Sequence, residues 1–146
     1  MAYWDTSCLL KLYAPEADSL SFKAHALHAS TLTTADITRL ELFAALRRKE
    51  AAGDLHNGGA RLALSAYDAD VAAGLIAVTG MNRQIVERFE EIIERSSSQA
   101  PPIMLRTLDA IHLAAAIVSG ESEVVATDKR LREAAISLGL AVYPPP

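Results

Sequence analysis

Asp5, Glu41, Asp109 and Asp128 are carboxylates set in apolar company. Asp5 follows Met1-Ala-Tyr-Trp4 and precedes Thr6-Ser7 and the run Cys8-Leu-Leu10. Glu41 interrupts Leu40-Glu-Leu-Phe-Ala-Ala-Leu46, Asp109 opens Asp109-Ala-Ile-His-Leu-Ala-Ala-Ala-Ile-Val118, and Asp128 closes Val124-Val-Ala-Thr-Asp128. An ionised carboxylate is rarely buried unless it is paired or holds a metal. A ligand set made of hard oxygens, without Cys or His, suits Mg²⁺ or Mn²⁺ rather than zinc. The chemistry such a set implies is hydrolysis, with an ion that acidifies water and neutralises a phosphate.

The surrounding pattern is one of strands alternating with helices. Ala2 to Asp5 reads as a short buried strand, followed by a helix from Thr6 to Tyr13 that Ala14-Pro15 breaks. A second helix is expected over Asp18 to Ala29, with Leu20, Ala24, Leu27 and His28 near one face, then a strand at Thr31 to Thr33. A long helix over Ala35 to Ala52 would be capped by Thr34 and stopped by Gly53. Asn57-Gly58-Gly59 marks a turn before a helix over Ala60 to Ala73; Leu75 to Val78 reads as a strand and Asn82 to Ser97 as a helix. After the loop Ser96 to Pro102, Thr107 would cap a helix running to Gly120. Strand Glu123 to Thr127, helix Lys129 to Leu138 and strand Leu140 to Tyr143 complete the chain.

This alternation predicts an α/β fold, a central, mostly parallel sheet flanked by helices on both faces. In open α/β sheets, ligands bind beyond the carboxyl ends of the strands, where Asp5 and Asp128 are expected. Asp109 falls in the first turn of its helix, whose positive end favours the ionised form. Glu41 shares the i, i+3, i+4, i+7 stripe with Ile37, Leu40, Ala44 and Arg48, a face expected to look into the sheet.

Each acid alone has a plainer explanation. Asp5, Asp109 and Asp128 could serve as helix caps or first-turn residues, and Glu41 could pair with Arg48 or Arg39. Taken together these explanations weaken, because all four map to one end of one sheet, where their repulsion calls for a cation. His112, beside Asp109 on an apolar helix, reads as a satisfied core histidine. His25 and His28 have a zinc-compatible spacing but no second pair. Asn57-Gly58-Gly59 lacks the spacing and lysine of a phosphate loop. Ser7 lacks the glycine elbow of a nucleophilic hydrolase.

The 146 residues suit one domain, taken as 1–146, and the formal net charge of −4 argues against a generic nucleic-acid binder. Local basic candidates are Arg39, Arg47-Arg48-Lys49, Arg106 and Lys129-Arg130 with Arg132, most of which read as solvated faces. Cys8, the only cysteine, excludes an internal disulfide and reads as a small buried hydrophobe. No membrane span or secretory leader is visible, so a cytoplasmic protein is expected. A 51% hydrophobic composition leans toward apolar surface covered by a partner.

With these residues assembled, the chain resembles the PIN-domain ribonuclease family, and within it the VapC-like toxins of toxin–antitoxin pairs. The matching segments are Tyr3-Trp-Asp-Thr-Ser-Cys-Leu-Leu-Lys-Leu-Tyr13, Ile37-Thr-Arg-Leu-Glu-Leu-Phe-Ala-Ala-Leu-Arg47, Leu105-Arg-Thr-Leu-Asp-Ala-Ile-His-Leu-Ala-Ala-Ala116 and Val124-Val-Ala-Thr-Asp-Lys-Arg-Leu131. The resemblance implies a PIN-like fold in which Asp5, Glu41, Asp109 and Asp128 form the acidic quartet. Asp5 and Asp109 would be the principal Mg²⁺ ligands, with Mn²⁺ able to substitute, and Glu41 and Asp128 would complete the site. Ser7 matches the family's hydroxyl two residues after the first acid. Where the family often has a threonine two residues before the fourth acid, this chain has Ala126, and Thr127 stands next to Asp128 instead. Trp4 is bulkier than the usual aliphatic residue. By the same resemblance the substrate is RNA, cut to a 5′-phosphate and a 3′-hydroxyl, and the partner is a cognate antitoxin; the long apolar helices suggest a homodimer. The alternatives are a degenerate RNA- or protein-binding domain of this fold and a metal-dependent phosphatase. The latter wants a second acid where Ser7 stands.

Overall fold

A computed structural model describes residues 1–146. The strands are β1 (Ala2–Trp4), β2 (Leu32–Ala35), β3 (Ile76–Thr79), β4 (Glu123–Val125) and β5 (Ala141–Tyr143). The helices are α1 (Thr6–Tyr13), α2 (Ser19–Ala26), α3 (Ile37–Ala51), α4 (Gly59–Ala72), α5 (Arg83–Ser97), α6 (Thr107–Val118) and α7 (Lys129–Ser137). All strand pairs are parallel, in the order β3-β2-β1-β4-β5. Parallel neighbours need long crossovers, which the helices supply, and those helices cover both faces.

Successive side chains of a strand point to opposite faces, and β1 shows how the two halves of the core arise from that rule. Trp4 packs with Leu9, Leu42, Leu46, Leu64 and Tyr67 on the side of α1, α3 and α4. Tyr3 packs with Ile85, Ile92, Leu113, Val124 and Leu131 on the side of α5, α6 and α7. Both aromatic rings are fully buried. No helix is long and apolar enough to cross a membrane.

From β1 the chain builds outward through β2 to β3, then returns to place β4 against the other edge of β1. The sheet order therefore reverses between β1 and β4. A reversal of this kind opens a crevice at the carboxyl ends of the two strands, because the loops that follow them leave to opposite sides. Asp5 and Asp128 lie on those two loops.

Several boundaries differ from the sequence expectation. Thr34 does not cap α3: it belongs to β2, where its buried hydroxyl donates to the Trp4 carbonyl (2.9 Å) and lies 2.7 Å from the Thr38 hydroxyl. Asp36 takes the cap position instead, without a side-chain capping bond. The fully inward face of α3 is Thr38, Leu42 and Leu46 rather than the expected stripe of Ile37, Leu40, Glu41, Ala44 and Arg48: Leu40 is 69% exposed, Ala44 and Arg48 also face solvent, and Ile37 and Glu41 are half-buried. Arg106 rather than Thr107 precedes the first helical residue of α6. β4 stops at Val125, short of Thr127, because Asp128 must turn to cap α7. In α2 the buried residues are Ser19 and Phe22, which leaves Leu20 and Leu27 exposed.

Candidate active site

A cavity of about 340 Å³ opens beyond the carboxyl ends of β1 and β4, lined by Asp5, Thr6, Ser7, Glu41, Arg106, Asp109, His112, Thr127 and Asp128. None of the nine is apolar. All four acids singled out by the sequence, with Ser7 and Thr127, thus reach one place.

Local structure explains how each arrives. The Asp5 N–H donates to the Val125 carbonyl at 3.1 Å, extending the ladder by one residue, and its side chain then caps α1 by accepting from the Cys8 N–H at 2.9 Å. The Ser7 hydroxyl donates to the same carboxylate at 2.9 Å. Asp5 is only 6% exposed. Burial pushes its carboxyl above the ordinary aspartate range, against the opposing pull of the Cys8 N–H, His112 and Ser7. Asp128 caps α7 through the Leu131 N–H at 3.0 Å, and Asp109 sits in the first turn of α6. The plain readings of these acids as caps hold for Asp5 and Asp128; the second Asp5 oxygen accepts from the Ser7 hydroxyl at 3.1 Å, and the second Asp128 oxygen faces Arg106 at 3.5 Å.

Glu41 enters from α3. It pairs with neither Arg48 nor Arg39, and Arg39 is engaged by Asp68 at 2.8 Å. Instead the Glu41 carboxylate accepts from the Thr6 hydroxyl at 2.8 Å and lies 2.6 Å from His112 Nε2. Burial alone would raise the Glu41 carboxyl; His112, Thr6 and Arg106 outweigh it and hold the group below the usual glutamate range. His112 is 3% exposed, with Nδ1 2.7 Å from the Tyr3 hydroxyl. An ionised Glu41 can only accept, so a neutral His112 ring carries its proton on Nε2 and Tyr3 donates to Nδ1, an assignment that rests on the network. The satisfied core histidine is therefore also a wall of the cavity.

Arg106 bridges the remaining acids. Its Nε donates to Asp109 at 2.7 Å, and its Nη2 to Asp109 at 3.4 Å and to Asp128 at 3.5 Å. Asp109, followed by Asp128 and Glu41, raises the guanidinium above its ordinary value.

Thr6, Arg106 and His112 escaped the sequence reading as site residues. The signal for two of them was present: positions 106, 109 and 112 are three apart, one face of α6 and its cap. Thr6 had no signal beyond adjacency to Asp5.

The donor chemistry fits a hard divalent cation: four carboxylates, no thiolate, and a buried Asp5 whose desolvation a cation would offset. No three His, Cys, Asp or Glu side chains converge into a ready-made cage. The carboxylates are engaged within the chain instead: Asp5 accepts from Ser7 and the Cys8 N–H, and Asp109 from Arg106.

A larger opening, about 410 Å³, lies at the other end of the sheet and includes His25, His28 and Glu123. There His25 Nε2 is 2.8 Å from Glu123 and the ring stacks on Tyr143 at 3.7 Å. That pairing is a structural clasp rather than a metal site.

The PIN-domain family model matches residues 2–137. The chain belongs to the PIN-domain family. Its curated relatives include Ribonuclease VapC35 from two strains of Mycobacterium tuberculosis, 32% identical over 153 aligned positions that span 99% of this chain and 97% of the relative. Among solved structures, VapC20 of Mycobacterium tuberculosis, described as a Sarcin-Ricin loop cleaving toxin, superposes with a TM-score of 0.69 at 19% identity, covering 92% of this PIN domain and 95% of that chain. A toxin–antitoxin complex from Klebsiella pneumoniae gives a TM-score of 0.59 at 19% identity, covering 88% and 87%. These two likenesses bear on the fold of the PIN domain.

Proposed function

We propose that this PIN domain is a divalent-metal-dependent endoribonuclease and the toxin of a toxin–antitoxin pair, acting in the cytoplasm. The observation that carries the reading is the all-polar cavity at the sheet reversal, which Asp5, Glu41, Asp109 and Asp128 all line. The full-length kinship with Ribonuclease VapC35 supports RNA as the substrate.

Asp5 and Asp109 are the residues that would hold Mg²⁺ or Mn²⁺. The chemistry the ion supplies when bound is activation of water and neutralisation of phosphate charge. Asp5 suits the first role because strand, cap and Ser7 together fix its carboxylate. Glu41 is ionised at neutral pH and oriented by Thr6 and His112, so it can accept a hydrogen bond from an attacking water in a set direction. Asp128, tied to the start of α7, completes the acidic ring, and Thr127 lines the wall beside it.

An antitoxin partner follows from the same electrostatics. Four carboxylates facing one local guanidinium leave an excess of negative charge, into which an arginine of a partner can insert with forked geometry. Exposed Leu20, Leu27, Leu40 and Leu62 offer apolar surface for that partner or for a second copy in a homodimer.

Purified chain incubated with RNA across a Mg²⁺ or Mn²⁺ series, against EDTA, tests the activity. Cleavage should require the ion and vanish in Asp109→Asn. Equal cleavage in EDTA, or by the variant, would overturn the metal-dependent reading.

A further inference from the structure

Arg106 is the only arginine or lysine among the nine residues that line the cavity. Other nearby cations are committed elsewhere: Arg132 donates to the Ala126 carbonyl at 2.9 Å, and Lys129 lies 3.7 Å from Glu133. Arg106 is held only by the acids, through Nε and Nη2; Nη1 makes no hydrogen bond within the chain. Its side chain is 62% exposed, whereas Asp109 beneath it is 15% exposed. The guanidinium therefore covers a carboxylate from the solvent side and keeps one edge of its fork free.

Resting on the metal-dependent reading above, we propose that Arg106 is a displaceable counter-ion. Before a divalent cation binds, it neutralises Asp109 and Asp128; once a cation held by Asp5 and Asp109 takes the Asp109 oxygens, the freed guanidinium binds a phosphate of the RNA backbone.

The two positions follow from charge and reach. Arg106 and a divalent cation compete for the same Asp109 oxygens, because both require them facing the cavity. A divalent ion carries twice the charge and collects ligands from Asp5 as well, so it prevails when present. The guanidinium released at the rim is then repelled by the ion and drawn to the nearest anion, which in a complex with RNA is a phosphate. Guanidinium and phosphate match in a bidentate fork that lysine cannot reproduce. The backbone need not move, since Arg106 occupies the cap position of α6 and its side chain makes no capping bond.

Calorimetric titration with Mn²⁺ alone, and steady-state RNA cleavage at saturating Mn²⁺, test the two halves separately. Arg106→Gln should bind Mn²⁺ roughly twofold to fivefold more tightly than wild type, the scale of an exposed ion pair removed as a competitor, while its KM for RNA rises. Arg106→Lys should keep the competition but lose most of the RNA affinity. Lys129→Gln, which removes an equal charge beside Asp128 without bridging the acids, controls for the general field. Unchanged or weaker Mn²⁺ binding by Arg106→Gln, tightening of the same size in Lys129→Gln, or an unchanged KM would each overturn the proposal. Failure of wild type to bind Mn²⁺ at all would instead strike the metal-dependent reading, and the proposal with it.

Discussion

Replacing His112 with leucine should destabilise the protein by a calculable amount. Leucine has nearly the volume of the imidazole, so packing against α6 and β1 changes little, and the cost falls on the two groups the ring satisfies. Tyr3 is fully buried and loses the acceptor 2.7 Å from its hydroxyl. A buried hydroxyl left without a partner costs about 1–3 kcal/mol, and the lower half of that range applies because Thr34 and the Ala35 N–H lie close to it. Glu41 loses its 2.6 Å contact but keeps the Thr6 hydroxyl and some solvent, with 27% of its side chain exposed. Discounted for that screening, its share is about 1 kcal/mol. His112→Leu should therefore cost about 2–3 kcal/mol in urea unfolding without metal. Tyr3→Phe in the same background removes the stranded hydroxyl, so the double variant should cost less than the sum of the singles by about 1–2 kcal/mol. A loss below about 0.5 kcal/mol for His112→Leu, or strict additivity in the cycle, would refute the idea that this ring links β1 to Glu41.

Three further outcomes follow from the same geometry. Asp5→Asn keeps a cap acceptor for the Cys8 N–H but removes a buried charge, so without metal it should melt at or above the wild-type temperature; cleavage and the melting gain from Mn²⁺ should both disappear, and wild-type cleavage would contradict the role of Asp5. Because burial raises the Asp5 carboxyl, its contribution to stability is fullest below the unfolded aspartate value of 3.8 and is lost as pH rises through its higher folded value; Glu41, held low, contributes above 4.5 and loses that contribution as pH falls through its folded value. In EDTA, the stability of Asp5→Asn relative to wild type should thus grow as pH rises above the unfolded aspartate value of 3.8, and a flat difference would contradict the burial of an ionised Asp5. Cys8 is buried and its thiol is pushed well above the ordinary value, first by burial and then by Asp5, so iodoacetamide at mildly alkaline pH should label it only in urea; rapid labelling of the native chain would contradict that placement.

Much of the fold is legible in the alternation of apolar runs and breaks. Gly58, for instance, marks the start of α4 because its backbone φ of +84° favours glycine. The acids Asp5, Asp109 and Asp128 are legible because strand ends and helix starts fix them by local rules. Glu41 is legible as an acid in the wrong company, but its partner is not: α3 carries apolar residues around most of its circumference, and only the true end of β2 at Ala35 sets its phase. Nothing local to Tyr3 and His112 says that they meet, since 109 positions separate them and their contact arises from the packing of α6 on β1. Arg106 was visible as a charge but not as a bridge, because its contact with Asp128 spans 22 positions and depends on the β1–β4 pairing.

Whether the acids of the cavity form one divalent-cation site can be seen directly in a metal-soaked crystal. The experiment uses crystals of the chain soaked in Mn²⁺ and measured near the manganese absorption edge. An anomalous difference peak should appear in the cavity, in contact with Asp5 and Asp109, and be absent from crystals of Asp109→Asn. A peak elsewhere, or none in crystals of a chain that cleaves RNA under the same Mn²⁺, would contradict it.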